Sequence, residues 1–204
     1  MTFLFHALAT IGGYLLGSVP VGYLVVWLFK REDVRKYGSG RTGGTNVYRA
    51  AGMGAAALTA AGDVLKGALA VLLARWVVGT MAAEILAGVA AVVGHNWSVF
   101  LGWRGGAGTG TNLGVVAAFS PLVALALGLV LLVAIRVIRY ASVASMIVAL
   151  LVPIVFLVMA FIFPPFSHYG SYALYGVLSA AAVILALRPN IARLRAGTER
   201  RLNY

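Results

Sequence analysis

The chain has 204 residues, of which 62% are hydrophobic and 10% charged, where a water-soluble domain carries about 25% charged residues. Too few polar residues are present to cover a soluble surface, and the absence of cysteine excludes a disulfide framework and a thiolate metal site. The net charge of +11 has no soluble face on which to bind nucleic acid, so it is read first as loop charge at a membrane and attraction to anionic lipid.

Apolar runs occupy roughly 3–29, 52–78, 81–101, 112–135, 141–163 and 170–187. Most are near the 20 or so residues that cross a hydrocarbon core of about 30 Å. Helices are expected throughout, because each spanning segment must satisfy its own backbone polar groups. The first run lacks a preceding basic region and a following small-residue cleavage site, so it reads as a membrane helix and not a signal peptide.

The first connection carries Lys30, Arg31, Arg35, Lys36, Arg41 and Arg49. Within it, Gly38-Ser39-Gly40-Arg41-Thr42-Gly43-Gly44-Thr45-Asn46-Val47-Tyr48-Arg49 combines closely spaced glycines with hydroxyl, amide and guanidinium donors. That is the composition of an oxyanion or phosphate cradle. A helix starting near Asn46 would add its N-terminal amides. A flexible turn followed by a helix cap has the same composition.

The second run contains Asp63 and Lys66, three apart and so on one helix face. Ionisable groups inside a span face the bundle interior or a wet cavity. They read as a buried structural pair, or as a pair whose Lys66 reaches a substrate anion. Arg75 stands alone in the second connection.

The third run ends at His95 and leads into a second glycine-dense stretch, Gly94 to Asn112, with Trp97, Trp103 and Arg104. The tryptophans read as interfacial anchors. The fourth run is interrupted by Ser120-Pro121, a plausible place for the chain to reverse. Arg136 and Arg139 follow, then Ser142 and Ser145 at the start of the fifth run. The fifth connection, Pro164 to Tyr169, has no Lys or Arg. The tail carries Arg188, Arg193, Arg195, Arg200 and Arg201, with Asn190 and Arg193 three apart.

Six simple crossings would put the first connection and the tail on opposite sides, splitting the basic residues. If the fourth run enters and leaves on one side, fourteen of the sixteen Lys and Arg residues share a face. The expected architecture is therefore an all-α polytopic bundle of seven transmembrane helices, the fourth and fifth short or broken. Its N-terminus lies outside, its tail is cytoplasmic, and residues 1–204 form a single domain. Broken segments at membrane depth line polar cavities, so the site is expected near them.

No nucleophile–base pair and no pair of carboxylates is visible in the spacing of the five acids and three histidines, and a metal site is not expected. Any reaction here needs little help from a general base. An acyl phosphate meets that condition, because its phosphate is already a good leaving group.

These loops resemble the bacterial acyl-phosphate:glycerol-3-phosphate acyltransferases, the PlsY family. The family motif G-S-G-N-x-G-A-T-N-x-x-R is matched at Gly38, Ser39, Gly40, Gly43, Thr45, Asn46 and Arg49. G-H-x-x-P-V-F-x-x-F-K-G-G-K-G-V-A-T is matched at Gly94, His95, Val99, Phe100, Gly105, Gly106, Gly108 and Thr111. D-x-x-K-G corresponds to Asp63, Lys66 and Gly67, and N-I-x-R-L-x-x-G-T-E to Asn190, Ile191, Arg193, Leu194, Gly197, Thr198 and Glu199.

The resemblance implies transfer of a fatty acyl group from acyl phosphate to the 1-hydroxyl of glycerol 3-phosphate, giving lysophosphatidate and phosphate for phospholipid synthesis. It implies a multi-pass protein of the bacterial inner membrane among its lipids, an active site on the cytoplasmic face, and no cofactor. It assigns Ser39, His95, Ser145 and Asn190 to catalysis. It assigns Thr45, Asn46, Arg49, Lys66, Arg104, Gly105, Gly106, Gly108 and Arg193 to substrate phosphate, with amides of residues 105–108 holding an oxyanion.

The departures are Leu187 and Pro189 within the family's H-R-E-N run, Arg41 for a family Asn, Ser98 for a Pro, Arg104 for a Lys, and Ala107 for the Lys of G-G-K-G. The last removes a charge that Arg41 or Arg104 could restore. Two rival readings follow: a paralogue of the same fold with another phosphorylated acceptor or no activity, and an organic phosphate transporter. The second lacks the internal repeat and midplane charges such transporters show.

Overall fold

The structure, a computed structural model, describes residues 2–163 and 168–202. All regular structure among them is helical: α1 (Thr2–Ser18), α2 (Val21–Lys30), α3 (Gly44–Val77), α4 (Met81–Asn96), α5 (Thr109–Phe119), α6 (Pro121–Ile138), α7 (Ala141–Ile162), α8 (His168–Ala186) and α9 (Arg188–Arg195). Short 3₁₀ turns at Val34–Lys36 and Val99–Leu101 lie in the first and third connections. Of the fifth connection, residues 164–167 fall outside the described residues.

The chain is an integral membrane protein. Among the described residues, six helical segments are long and apolar enough to cross a bilayer. Their outward faces are bare hydrocarbon: Phe161 is 77% exposed and Leu122 74%, positions only lipid tolerates in such numbers.

Three breaks in the helices depart from the apolar runs, and each has a local cause. The first run is cut between Ser18 and Val21, because Pro20 has no N–H and cannot continue α1. The carbonyls freed there are captured from elsewhere in the chain. Ser98 Oγ donates to Ser18 O at 2.6 Å, and Lys66 Nζ donates to Val19 O at 2.8 Å. The second helix starts at Gly44, before the apolar run, and kinks at Gly52, whose φ of 82° suits glycine. The fourth run breaks where Ser120-Pro121 suggested, with Ser120 extended between α5 and α6.

Without a hydrophobic driving force between helices in lipid, close backbone packing holds such a bundle. Two glycine seams do so here. Along α3 and α5, a Cβ on Gly67 would stand 2.1 Å from Thr111 O, and one on Gly114 1.9 Å from Val64 O. Along α1 and α4, a Cβ on Gly13 would meet Ala87 O at 2.4 Å and one on Gly17 would meet Ala91 O at 2.0 Å. Gly114→Val therefore cannot be absorbed by a side-chain shift and costs more than the 1–3 kcal/mol typical of overpacking. The expected result is loss of the monodisperse peak on size exclusion in mild detergent. A Gly114→Val protein that elutes and melts like the parent would refute the seam.

At one end of the bundle, Arg75 Nε and Nη2 grip Glu84 at 3.0 and 2.7 Å, and Nη2 also reaches Ala118 O at 3.0 Å. His6 Nε2 and Thr80 Oγ1 lie 2.9 Å apart beside them. This gathers the start of α1, the end of α3, the start of α4 and the end of α5. The opposite end holds both glycine loops and the tail around a cavity. Thr109 and Gly110 of α5 line that cavity, as does Ile135 of α6. Thus α5 leaves the cavity and α6 returns to it.

Candidate active site

The first glycine loop is folded around one amide. Asn46 Nδ2 donates to Val34 O (3.0 Å), Tyr37 O (3.0 Å) and Arg41 O (2.8 Å), while Asn46 Oδ1 accepts from Ser39 N (3.0 Å). Gly38, at φ 45°, packs so close that a Cβ would stand 2.2 Å from Asn46 Oδ1. The buried Asn46 is therefore a buckle that shapes the cradle, with its side chain already engaged. Arg35 forks onto Asp33 and donates through Nη1 to Leu101 O at 3.1 Å, tying this loop to the third connection. That fork holds the Asp33 carboxyl below its ordinary range.

The second glycine loop is built on His95. Gly106 N donates to His95 O (2.9 Å) and Gly105 N to Asn96 O (3.2 Å). A Cβ on Gly106 would stand 2.1 Å from His95 Nε2, so the loop can lie against the ring only as glycine. On the other side of the ring, Nδ1 is 3.4 Å from Asp63 Oδ1, and the same oxygen is 3.0 Å from Lys66 Nζ. All three side chains are buried. The Asp63 carboxylate thus stands between the imidazole and the Lys66 ammonium.

The tail closes the third side. Glu199 accepts from Ser142 Oγ (2.9 Å), Asn190 Nδ2 (2.7 Å) and Arg193 Nε (2.8 Å). Burial alone would raise this carboxyl, but the three donors prevail and hold it below its ordinary range. Leu202 exchanges backbone and guanidinium hydrogen bonds with Arg139, and Arg200 donates to Gly38 O.

Together these parts enclose a cavity of about 540 Å³. Arg41, Arg49, Arg193 and Arg200 line it along with the acids Asp63 and Glu199, and its α6 lining is wholly apolar (Leu131, Leu132 and Ile135), with Met53 and Ala57 added from α3. The first turns of α3, α5 and α7 open onto it, and such N-termini favour anions. Two polar atoms at its edge, Thr109 Oγ1 and Asn190 Oδ1, are buried without a protein partner among the described residues.

Of the residues singled out from sequence, Ser39, Thr45, Asn46, Arg49, His95, Gly108, Ser145, Asn190 and Arg193 line this cavity. Four do not. Arg104 is exposed, following left-handed Gly102 and Trp103. The Lys66 ammonium is taken by Asp63 and the Val19 carbonyl. Gly105 and Gly106 spend their amides on the end of α4, which leaves them unable to hold an oxyanion. The charged lining residues outside the sequence assignment are Asp63, Glu199, Arg41 and Arg200. A single acid in a basic tail was the available signal for Glu199; no spacing links Asp63 to His95. Among the described residues no hydroxyl hydrogen-bonds to the His95 ring, so no serine–histidine nucleophile is assembled, and none of their acids and histidines form a metal-binding group.

Comparison with known proteins agrees over nearly the whole chain. The family model for glycerol-3-phosphate acyltransferase matches residues 7–197. A glycerol-3-phosphate acyltransferase of Rubrobacter xylanophilus is 45% identical over 195 residues, covering 93% of this chain and 91% of that protein. Glycerol-3-phosphate acyltransferase 3 of Dehalococcoides mccartyi (strain ATCC BAA-2266 / KCTC 15142 / 195) is 43% identical, covering 96% of this chain and 95% of its own length. The fold superimposes with a TM-score of 0.80 on a crystal structure of PlsY, an integral membrane glycerol 3-phosphate acyltransferase, in its glycerol 3-phosphate form; identity is 36%, with 97% and 96% of the two chains covered.

Proposed function

The chain belongs to the glycerol-3-phosphate acyltransferase family, and from that premise we propose how its cavity works. It acylates glycerol 3-phosphate, a step of phospholipid synthesis. The donor is an acyl phosphate, and the products are lysophosphatidate and inorganic phosphate. The observation that carries this reading is one cavity lined both by arginines and by apolar residues of α6. Its two substrates need that combination: a phosphate dianion on each, and a fatty chain on one.

In the reaction, the 1-hydroxyl oxygen of glycerol 3-phosphate attacks the acyl carbonyl. The new ester C–O bond forms, the carbonyl carbon–phosphate oxygen bond breaks, and phosphate leaves with the electron pair. The hydroxyl proton passes to a substrate phosphate oxygen, consistent with the lack of a serine–histidine pair. Arg49, Arg193, Thr45 and the Gly108 turn at the start of α5 contact substrate phosphate. Ser39, His95, Ser145 and Asn190 position the reacting groups. Asn46 and Lys66 act behind them, through the loop and through Asp63. Gly105 and Gly106 fix the second loop on His95.

The membrane setting follows the same argument. Residues 1–204 form one domain with seven crossings, α1–α2 counting as one, in the bacterial inner membrane. The cavity and tail face the cytoplasm, where the soluble substrate is found. Support comes from the one-sided distribution of basic residues and from the return of α6 to the cavity where α5 began. The cysteine-free chain allows a clean test. Single cysteines at Arg195 and Gly79, probed in intact cells with a membrane-impermeant maleimide, should label only at Gly79. Labelling at Arg195, or at neither position even after permeabilisation, would overturn the orientation.

The activity itself is tested with purified protein, palmitoyl phosphate and glycerol 3-phosphate. Lysophosphatidate and phosphate should appear in equal amounts. Phosphate release with only some other acceptor would replace this reading by that of an altered paralogue, the possibility that Ala107 raises.

A further inference from the structure

We propose that Arg41 is a substrate-phosphate ligand of this chain, supplying from the first glycine loop the positive charge that the second loop, with Ala107 at the cavity wall, does not carry. The inference rests on the acyltransferase reading above and names a residue to which neither the resemblance nor the family match gives a role.

Arg41 lines the cavity and is half-buried. Its Nη1 donates to Gly106 O at 2.8 Å, and its Nη2 donates to Ala186 O at the end of α8. Both acceptors are neutral carbonyls. No carboxylate lies within 4.0 Å of Arg41 among the described residues. A guanidinium has five N–H donors, so three are left after these two bonds. A partly desolvated cation with no ion-pair partner, facing a cavity, is suited to an anionic ligand. Burial, with a smaller contribution from positive Arg193, also lowers the guanidinium below its ordinary value, while Glu199 works the other way. The charge persists, since arginine stays protonated in proteins.

Arg49 and Arg193 also reach the cavity, from α3 and α9, and Arg200 donates to Gly38 O, while Arg104 lies outside it. Arg41 is also the group bonded to the residue directly before Ala107. It therefore sets its charge beside the loop that turns into the N-terminus of α5 at Gly108. The two carbonyl bonds hold the fork in place before substrate arrives, and such preorganisation is what makes a charged donor effective.

The ligand is a phosphate monoester dianion. It belongs either to the acceptor or to the acyl phosphate, and separate KM values tell which. In purified protein, Arg41→Asn should raise KM for one of the two substrates about tenfold, with a much smaller change in kcat. Arg41→Lys should fall between. Adding Ala107→Lys to Arg41→Asn should bring that KM back towards the parent value, because the charge returns to the same cavity from the facing loop. Arg41→Asn should also weaken inhibition by inorganic phosphate to a similar degree. An unchanged KM in Arg41→Asn overturns the proposal. So does a raised KM that neither lysine lowers, accompanied by a parallel fall in kcat and in melting temperature; that pattern belongs to a clamp between loops and α8. If the parent protein makes no lysophosphatidate, the acyltransferase reading fails instead. Thermal shift with glycerol 3-phosphate, parent against Arg41→Asn, then still decides whether Arg41 holds phosphate.

Discussion

Replacing Arg49 by alanine lowers kcat/KM for glycerol 3-phosphate by about a hundredfold. Arg49 comes off the short first stretch of α3, ahead of the Gly52 kink, and its side chain lines the cavity beside Gly38. It has no carboxylate partner within 4.0 Å among the described residues, so its donors are available to a phosphate. A hydrogen bond to a charged group contributes about 1.5–3 kcal/mol, and a forked pair to phosphate gives at least the upper part of that range. At 1.36 kcal/mol per factor of ten, 3 kcal/mol corresponds to roughly 150-fold. Arg49→Lys keeps the charge and loses the fork, so it should recover only part of the loss. Steady-state kinetics on purified variants check this. Arg49→Ala with parental kcat/KM would remove Arg49 from the site.

Glu199→Ala has the second large effect, on stability as well as on turnover. Glu199 accepts three hydrogen bonds that join α7, α9 and the tail. Its side chain is only 8% exposed. Truncation takes the shared acceptor from the half-exposed Arg193 guanidinium and from the Asn190 amide, and leaving such donors unsatisfied costs about 1–3 kcal/mol. The expected outcome is a melting temperature lower by at least about 2 °C in detergent, taking about 2 °C per kcal/mol for a chain this long, with most activity lost. Glu199→Gln still accepts and should lose less of both. The parent's dependence on pH has a defined sign. Because the folded carboxyl lies below its ordinary value, its contribution is present above about pH 4.3 and is lost as pH falls through the folded value. Melting curves of Glu199→Gln and parent should therefore converge only in acid. A parental melting temperature for Glu199→Ala would show that the tail is not fastened this way.

Much of the architecture was legible because the sequence signals are local. Apolar run length gave the helices to within a few residues at most ends, and Ser120-Pro121 marked a break that Ser120 does make. The break at Pro20 was hidden inside a continuous apolar run, and its meaning depends on distant donors, Lys66 and Ser98, that take up the freed carbonyls. Helix α3 begins eight residues before its apolar run, since residues 44–51 form a turn-rich polar start that hydropathy does not register as helix. At the site, composition pointed to the correct loops but not to the direction of each side chain. Arg41 turns in and Arg104 turns out, although both sit in glycine-rich stretches. The difference rests on two carbonyls for Arg41 and on two consecutive left-handed residues before Arg104. The Asp63–His95 contact joins positions 32 apart in sequence, brought together by the packing of α3 against α4, and no spacing rule encodes it.

The shortness of α5 sets the depth at which the two substrates meet. Its 11 residues rise about 16 Å, roughly half of a 30 Å hydrocarbon core, and its first turn lies against Asp63, twelve residues up α3 from Arg75 at the far end. With the crossings proposed above, the polar floor of the cavity is sunk well below the headgroup level. A fatty donor need not be raised out of the acyl region for its carbonyl to reach that floor. The small hydrophilic acceptor makes the journey instead, and the dehydration it suffers on the way down is met by the arginines that line the cavity. The cost of joining an oil-soluble to a water-soluble reactant is in this way shifted onto the partner with only a few polar groups to strip.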